Sequence, residues 1–357
     1  MLKNEVLGQI ENNNYIDTKR ITLRELLDEW LSKYVEGKLA KNTIRGYKVN
    51  IYKHIIPNIG WIPLQQLTSR DIENFYNKLY KDNYDDTSTG LSATSIIYIH
   101  RNLSKALDYA AKKRLILRNP AKDVELPSKE KYYCEVFDQQ TIMLLLTVVK
   151  NDPMELPIAL SGLSGLRRGE DAGLMWDDVD FDRCILNIRK QRTSGVGSTQ
   201  REKLKTLGSY RSIRMTQTLL EIIKRHQEIQ NRNKELLGDD YMDTGFVCCE
   251  PNGSIADPST YSKRFSQILK KHKFKAIRFH DLRHSFATNL IRLGVPTNTV
   301  SKMLGHSSVT ITLDIYAHVL EEMQQEAVIK MDADISKYID NQDDVIDIEI
   351  DNKTKEN

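Results

Sequence analysis

Cysteine is scarce in this 357-residue chain: Cys134, Cys184, Cys248 and Cys249 are the only four. None stands at metal-ligand spacing and two are adjacent, which argues against a disulfide scaffold and fits a reducing cytoplasm. Long apolar runs are missing as well. No stretch approaches the ~18 apolar residues of a membrane span, and the N-terminus lacks a secretory apolar region. Nor is there an acidic cluster suited to Mg²⁺. His280 and His284 have the i, i+4 spacing of a zinc helix, but Asp281 stands where that motif has Glu, and no third ligand is evident. The chain is therefore expected to use no metal or cofactor, to meet no membrane, and to work in the cytoplasm.

Charge is abundant and unevenly placed. The formal net charge is +3, yet residues 332–357 hold nine Asp/Glu and three Lys, a net of −6, so the preceding 331 residues carry +9. A basic body with an acidic tail fits a polyanionic partner. The length allows two domains, each with its own core.

The expected organisation is a polar tail over 1–20, a helical domain over 21–128, a linker over 129–134, a second domain over 135–331 and an acidic tail over 332–357. In the tail, Leu2 to Glu11 reads as a short helix. Thr22-Leu23-Arg24-Glu25 is a capping box, after which Leu26, Leu27, Trp30, Leu31 and Tyr34 recur at helical spacing. A second helix follows Asn42-Thr43 and is expected to end before Pro57. A third starts at Ser69, with Ile72, Phe75, Tyr76 and Leu79 on one face, and a fourth runs from about Ser92 to Leu115. Asn119-Pro120 to Lys129 reads as linker. Residues 21–130 hold eighteen Lys/Arg against thirteen Asp/Glu. Lys41, Arg45, Lys48 and Lys53 share one segment; Lys112, Lys113 and Arg114 close another. Alone, these are a solvated face with cations at a helix end; beside the motifs below they read as phosphate contacts.

In the second domain Asp138 opens a helix, and Pro157 to Leu163 starts another that leads into Arg167. Cys184 to Ile188 and Arg211 to Met215 alternate as strands, separated by a Lys-, Arg-, Gly- and Ser-rich hairpin or loop. Leu219–Leu237 and Tyr261–Lys273 read as helices, and Thr297–Leu304 as a short one. His280 and Arg283 lie about 60° apart on one helix, while Leu282, Phe286, Leu290 and Leu293 form a core-facing arc. Ser307-Ser308 is placed to cap a helix over Val309–Val319 that carries Tyr316.

Taken in order, Ser164-Gly165-Leu166-Arg167-Arg168-Gly169-Glu170, Lys205-Thr206 before Arg211-Ser212-Ile213, His280-x-x-Arg283, Leu304-Gly305-His306-Ser307-Ser308 and Tyr316 resemble the boxes of the tyrosine recombinases, closest to phage and conjugative-transposon integrases. The resemblance spans about residues 20–330. It implies a mainly α fold: an all-α, SAM-like core-binding domain plus an α-rich catalytic domain with a small antiparallel sheet. It also implies site-specific cutting and rejoining of DNA through a 3′-phosphotyrosyl intermediate, integrating or excising a mobile element. Arg167 and Arg283 would bind the non-bridging phosphate oxygens, Tyr316 would attack, and His280 would serve as base. Lys205 would protonate the leaving 5′-oxygen, with Lys203 or Lys190 as alternatives, and His306 would donate to the phosphate. Arg168 reads as a neighbour or DNA contact, and Glu170 as a buttress for an arginine. The implied partners are double-stranded core sites, a homotetramer on two duplexes and, in some systems, an accessory directionality factor. Only the last helix of an arm-binding domain is matched. Rival readings are a type IB topoisomerase-like enzyme, a non-catalytic DNA-binding module and a zinc hydrolase on His280 and His284.

In the acidic tail, Ile346, Ile348 and Ile350 alternate with Asp347, Glu349 and Asp351. That is the period of a half-buried strand. The stretch is either a disordered solubilising tail or a strand added to the sheet of a catalytic domain, in cis or in trans.

Overall fold

The structure is a computed structural model. It describes residues 21–81, 90–128, 135–192, 202–203 and 209–306, then 308–310, 312–313, 316, 319, 323–325 and 327–336, with the backbone alone at 41, 81, 202 and 203. The expected helix at Leu2–Glu11 and the alternating tail at 343–351 lie outside the described residues. The chain divides into two compact units, Met1–Tyr132 and Tyr133–Asn357.

The first unit is helical. Helix α1 (Leu23–Trp30) opens on the expected capping box: the Glu25 amide donates to the Thr22 hydroxyl, and the Thr22 amide donates to the Glu25 carboxylate at 2.7 Å. Leu23, Leu26, Leu27 and Trp30 are buried. Helix α2 (Lys41–Val49) does not stop before Pro57. A wide π-type stretch over Asn50–Ile55 passes into a last helical turn, Ile56–Ile59. Pro57 gives that turn no amide hydrogen to bond the turn before it, a local cost that the chain accepts because Ile55, Ile56 and Ile59 are buried in the core. Helix α3 (Ser69–Lys81) buries Ile72, Phe75, Tyr76 and Leu79 as the spacing predicts. Helix α4 (Ala93–Lys112) starts at Ser92, whose hydroxyl accepts the Ser95 amide.

The stretch from Asn119 is not loose linker. The buried Asn119 amide donates to the Ser104 carbonyl and to Asp108, each at 3.0 Å, and Ala121 enters the four-helix core. The Asn119 side-chain oxygen accepts the Ala121 amide at 2.9 Å, so the side chain ties Ala121 and this segment to α4 through Ser104 and Asp108 and fixes the chain there.

In the second unit, α5 (Gln139–Val148) is capped by Asp138, which accepts the Thr141 amide at 2.8 Å. Helix α6 (Glu155–Ser164) is buried on every side, as its nearly unbroken apolar sequence requires. Strands β1 (Val179–Asp180), β2 (Ile185–Ile188) and, later, β5 (Arg211–Arg214) form an antiparallel sheet in the order β1-β2-β5. Leu186 opposes Ile213 and both are buried, which sets the register. Between them β3 (Lys190–Gln191) and β4 (Glu202–Lys203) pair antiparallel, giving the expected hairpin its base. Helices α7 (Gln217–Leu237), α8 (Pro258–Lys271), α9 (Asp281–Arg292) and α10 (Thr297–Leu304) complete the unit, with α9 packed on α6 and α10. The expected apolar arc of α9 is one residue too long. Leu282 and Phe286 are buried, but Leu293 is 79 % exposed, because the helix ends at Arg292 and the chain turns away at Gly294 (φ +81°). The described residues between 309 and 336 are helical, and the Thr310 amide donates to the Ser308 hydroxyl as a cap would require.

Candidate active site

The site is assembled where two helices end. Helices α6 and α10 both terminate on left-handed glycines, Gly165 (φ +66°) and Gly305 (φ +65°). A helix C-terminus leaves carbonyls unpaired and carries the negative end of the helix dipole. Arg283, on α9 and only 2 % exposed, spans the two ends: one guanidinium nitrogen donates to the Gly165 carbonyl and the other to the Leu304 carbonyl at 2.6 Å. Its own helix is anchored by buried Asp281, which accepts from the Arg278 amide and guanidinium, and by Ser285, which accepts the Phe137 amide at 2.9 Å.

Arg167 lies two residues past Gly165. It donates to Glu170 at 2.8 Å and to the Gly305 carbonyl at 3.1 Å, with about a third of its side chain left open to solvent. Glu170 is the buried centre of the network. It accepts the Arg167 amide and a two-pronged contact from Arg211, at 3.1 and 2.8 Å. Arg211 in turn donates to the Met303 carbonyl at 2.7 Å. Burial alone would raise the Glu170 carboxyl, but Arg211, Arg167 and Arg283 outweigh it and hold the group at about 2. Burial and the Arg167 charge push Arg283 down to about 9, which still leaves it cationic at neutral pH. Three guanidinium groups thus surround one carboxylate, and the centre keeps an excess of positive charge.

His306 follows Gly305, and its Nδ1 lies 2.8 Å from the Thr312 hydroxyl. Burial and the charges of Arg283 and Arg167 push it down to about 4, so the ring is neutral at pH 7. The neutral ring carries one hydrogen, and the tautomer in which the Thr312 hydroxyl donates to Nδ1 leaves Nε2 as a donor. Tyr316 is 1 % exposed, and its hydroxyl lies 2.9 Å from His284 Nδ1. His280 occupies the N-cap position of α9 and meets the His284 ring edge-on, with centroids 5.1 Å apart. Desolvation, His284 and Arg283 lower His280 to about 4.

Of the residues singled out in the sequence, Arg167, Arg283, His306 and Tyr316 are brought together, with His280 one ring away. Lys205 lies outside the described residues; Lys203 is in β4, and Lys190 is exposed in β3. Arg168 sits at the edge, donating to the Ser262 hydroxyl at 3.2 Å. In the first unit Arg45, Lys112, Lys113 and Arg114 are exposed, Lys48 pairs with Glu36 at 2.6 Å, and the Lys41 side chain is outside the described residues.

Three contributors lie outside the expected site residues. The sequence places Arg211 in the strand of the lysine-bearing box without a role of its own and His284 in a zinc-like pair, and it gives Thr312 no role. Arg211 finds its partner 41 residues away, beyond the reach of local pattern. His284 stands beside Arg283 on the same helix, and that adjacency was the available signal. The found buttress, Glu170, supports two arginines instead of one.

A model of the phage integrase family matches residues 135–323, and one of the phage integrase N-terminal SAM-like domain matches residues 22–80. The chain is 28% identical to a "tyrosine recombinase XerC-like" protein of Caldanaerobacter subterraneus subsp. tengcongensis, over 91% of this chain and 86% of that one. It is 27% identical to the ICEBs1 integrase of Bacillus subtilis, over 82% and 77% of the two chains. Among solved structures, the Tn1549 transposon integrase in complex with transposon right end DNA superposes with a TM-score of 0.71 at 21% identity, covering 86% of this chain and all of that one. A lambda integrase tetramer bound to a Holliday junction gives 0.62 at 18%, covering 84% and 78%. These structural likenesses are of fold. Nothing in these matches favours the topoisomerase or the non-catalytic reading. With the family's model matching more than half of this chain, the chain belongs to the phage integrase family and is a tyrosine recombinase, a DNA strand transferase.

Proposed function

We propose that this recombinase integrates and excises a mobile element by cutting each strand at a core site with Tyr316. The observation that carries the reading is the joint placement of Arg167, Arg283, His306 and Tyr316 about the last residues of α10. The two guanidinium groups are planar, always charged and able to contact a phosphate in pairs. Their carbonyl partners hold them in advance, so little rearrangement is needed as charge develops on the non-bridging oxygens. His306 adds a neutral donor through Nε2.

The Tyr316 oxygen attacks phosphorus, the bond to the 5′-oxygen breaks, and a 3′-phosphotyrosyl link conserves the bond energy. Lys205 supplies the proton to the leaving oxygen, and the 5′-hydroxyl of a partner strand reverses the step without ATP. Because Tyr316 is 1 % exposed, productive DNA binding must part the contacts that cover it. A homotetramer on two duplexes fits strand exchange between sites, in line with the lambda integrase assembly on a Holliday junction.

The experiment is an intermolecular recombination assay. Plasmids carrying the two ends of the element that encodes the chain are incubated with the purified protein, and the junctions are sequenced. Conservative joining at one fixed crossover is expected. Relaxation of plasmids without joining would instead favour a topoisomerase.

A further inference from the structure

The phenol that must lose a proton is held by an imidazole outside the expected catalytic set. His284 Nδ1 lies 2.9 Å from the Tyr316 hydroxyl, with the ring centroids 6.0 Å apart and the planes tilted by 59°. His284 follows Arg283 directly on α9, so one rigid helix fixes both the phosphate-binding guanidinium and the imidazole. Tyr316 is 1 % exposed, so a base for its proton is best supplied by a side chain that already touches the hydroxyl. His280, the base implied by family resemblance, instead packs against the His284 ring.

We infer that His284 is a further catalytic residue: it positions the Tyr316 hydroxyl and accepts its proton at Nδ1 as the oxygen attacks phosphorus. This rests on Tyr316 being the nucleophile. The step balances. The phenolic O–H bond breaks and its proton goes to Nδ1 of a ring already protonated at Nε2, giving imidazolium. The oxygen–phosphorus bond forms, the bond from phosphorus to the 5′-oxygen breaks, and the leaving oxygen takes a proton from the general acid. Religation returns the proton from His284 to Tyr316.

The surroundings suit this exchange. His284 is faced by Asp281, Arg283, Arg278 and His280 from its own helix and the lead-in to it, by His306 from the turn after α10, and by Tyr316. Burial lowers its pKa, Arg283 and Arg278 add to that, and Asp281 opposes them. The ring is consequently neutral at pH 7 and able to accept, while buried Asp281 favours the imidazolium once it forms.

The test uses the full chain and a nicked suicide duplex bearing the crossover sequence from the recombination assay. Formation of the covalent adduct is timed in a single turnover. His284→Asn puts an amide near the position of Nδ1 without a basic nitrogen, and His284→Ala leaves room for a small base. Both are expected to bind the duplex like wild type in a gel shift and to form adduct about 10²–10⁴-fold more slowly. Free imidazole in the buffer should accelerate His284→Ala and leave Tyr316→Phe inert. Wild-type adduct rate in His284→Asn, or no response of a DNA-binding His284→Ala to imidazole, overturns the assignment. A wild-type chain that binds the duplex but forms no adduct refutes the Tyr316 reading itself, and this inference with it.

Discussion

Glu170 shows how a single side chain decides the electrostatics of the site. It is 1 % exposed and compensates Arg167 and Arg211 together. Glu170→Gln removes the charge and keeps the shape, so two buried or half-buried guanidinium groups lose their counter-ion. A stability loss of about 3–5 kcal/mol is expected, read from urea unfolding at neutral pH. The pH dependence has a definite sign. The folded carboxyl is depressed to about 2 from an ordinary value of 4.5, so its contribution is complete above 4.5 and is lost as pH falls toward 2. Wild type and Glu170→Gln should therefore converge in stability under acid; a gap unchanged down to that range would show that Glu170 acts by packing alone. Arg283→Lys tests the other half of the centre. An ammonium cannot reach the Gly165 and Leu304 carbonyls while also presenting a fork to phosphate. Adduct formation should fall by about 10²–10³-fold with DNA affinity nearly kept in a gel shift, and near wild-type cleavage would demote Arg283 to a structural role. Arg167, Arg283, His306 and Tyr316 were legible in the sequence because each sits in a local motif. Arg211 was not, because its role exists only once Glu170 folds against it.

At the scale of elements, the decisive devices are helix ends. Gly165 ends α6 with positive φ, and its carbonyl is one of the two that hold Arg283. A Cβ there would lie 2.5 Å from Phe286 and 2.9 Å from Leu304. Gly294 has a similar φ of +81° but nothing within 4 Å of the added atom. Both alanine variants incur the left-handed cost of about 1–2 kcal/mol; Gly165→Ala adds an overpacking cost of about 1–3 kcal/mol. Thermal unfolding should place Gly165→Ala clearly below Gly294→Ala, and equal losses would mean the core around Phe286 yields freely. Capping residues and spacing mark the starts of α1, α3 and α4 and both ends of α10, since Thr22, Ser92 and the Leu304-Gly305 end act locally, whereas α4 ends at Lys112, three residues short of the expected Leu115. The continuation of α2 through Pro57 and the docking of Asn119 were not legible. Both depend on contacts across the four-helix core, which overrule the local meaning of a proline or of an Asn-Pro pair.

For the whole molecule, the +9 carried ahead of the acidic tail predicts binding governed by counterion release. The logarithm of DNA affinity should fall linearly with the logarithm of salt concentration. If Arg45 and Lys113, both exposed, touch phosphates, each alanine substitution should weaken binding to all sequences alike and reduce the slope by about 1. A slope unchanged in both variants would place the DNA path elsewhere on the first unit. The account as a whole stands on one covalent bond. A suicide duplex carrying the crossover site, trapped on the full chain, digested and sequenced by mass spectrometry, reports the residue that bears the nucleotide. The expected product is a peptide with a 3′-phosphonucleotide on Tyr316, absent in Tyr316→Phe, and a nucleotide carried on any other side chain would contradict the account.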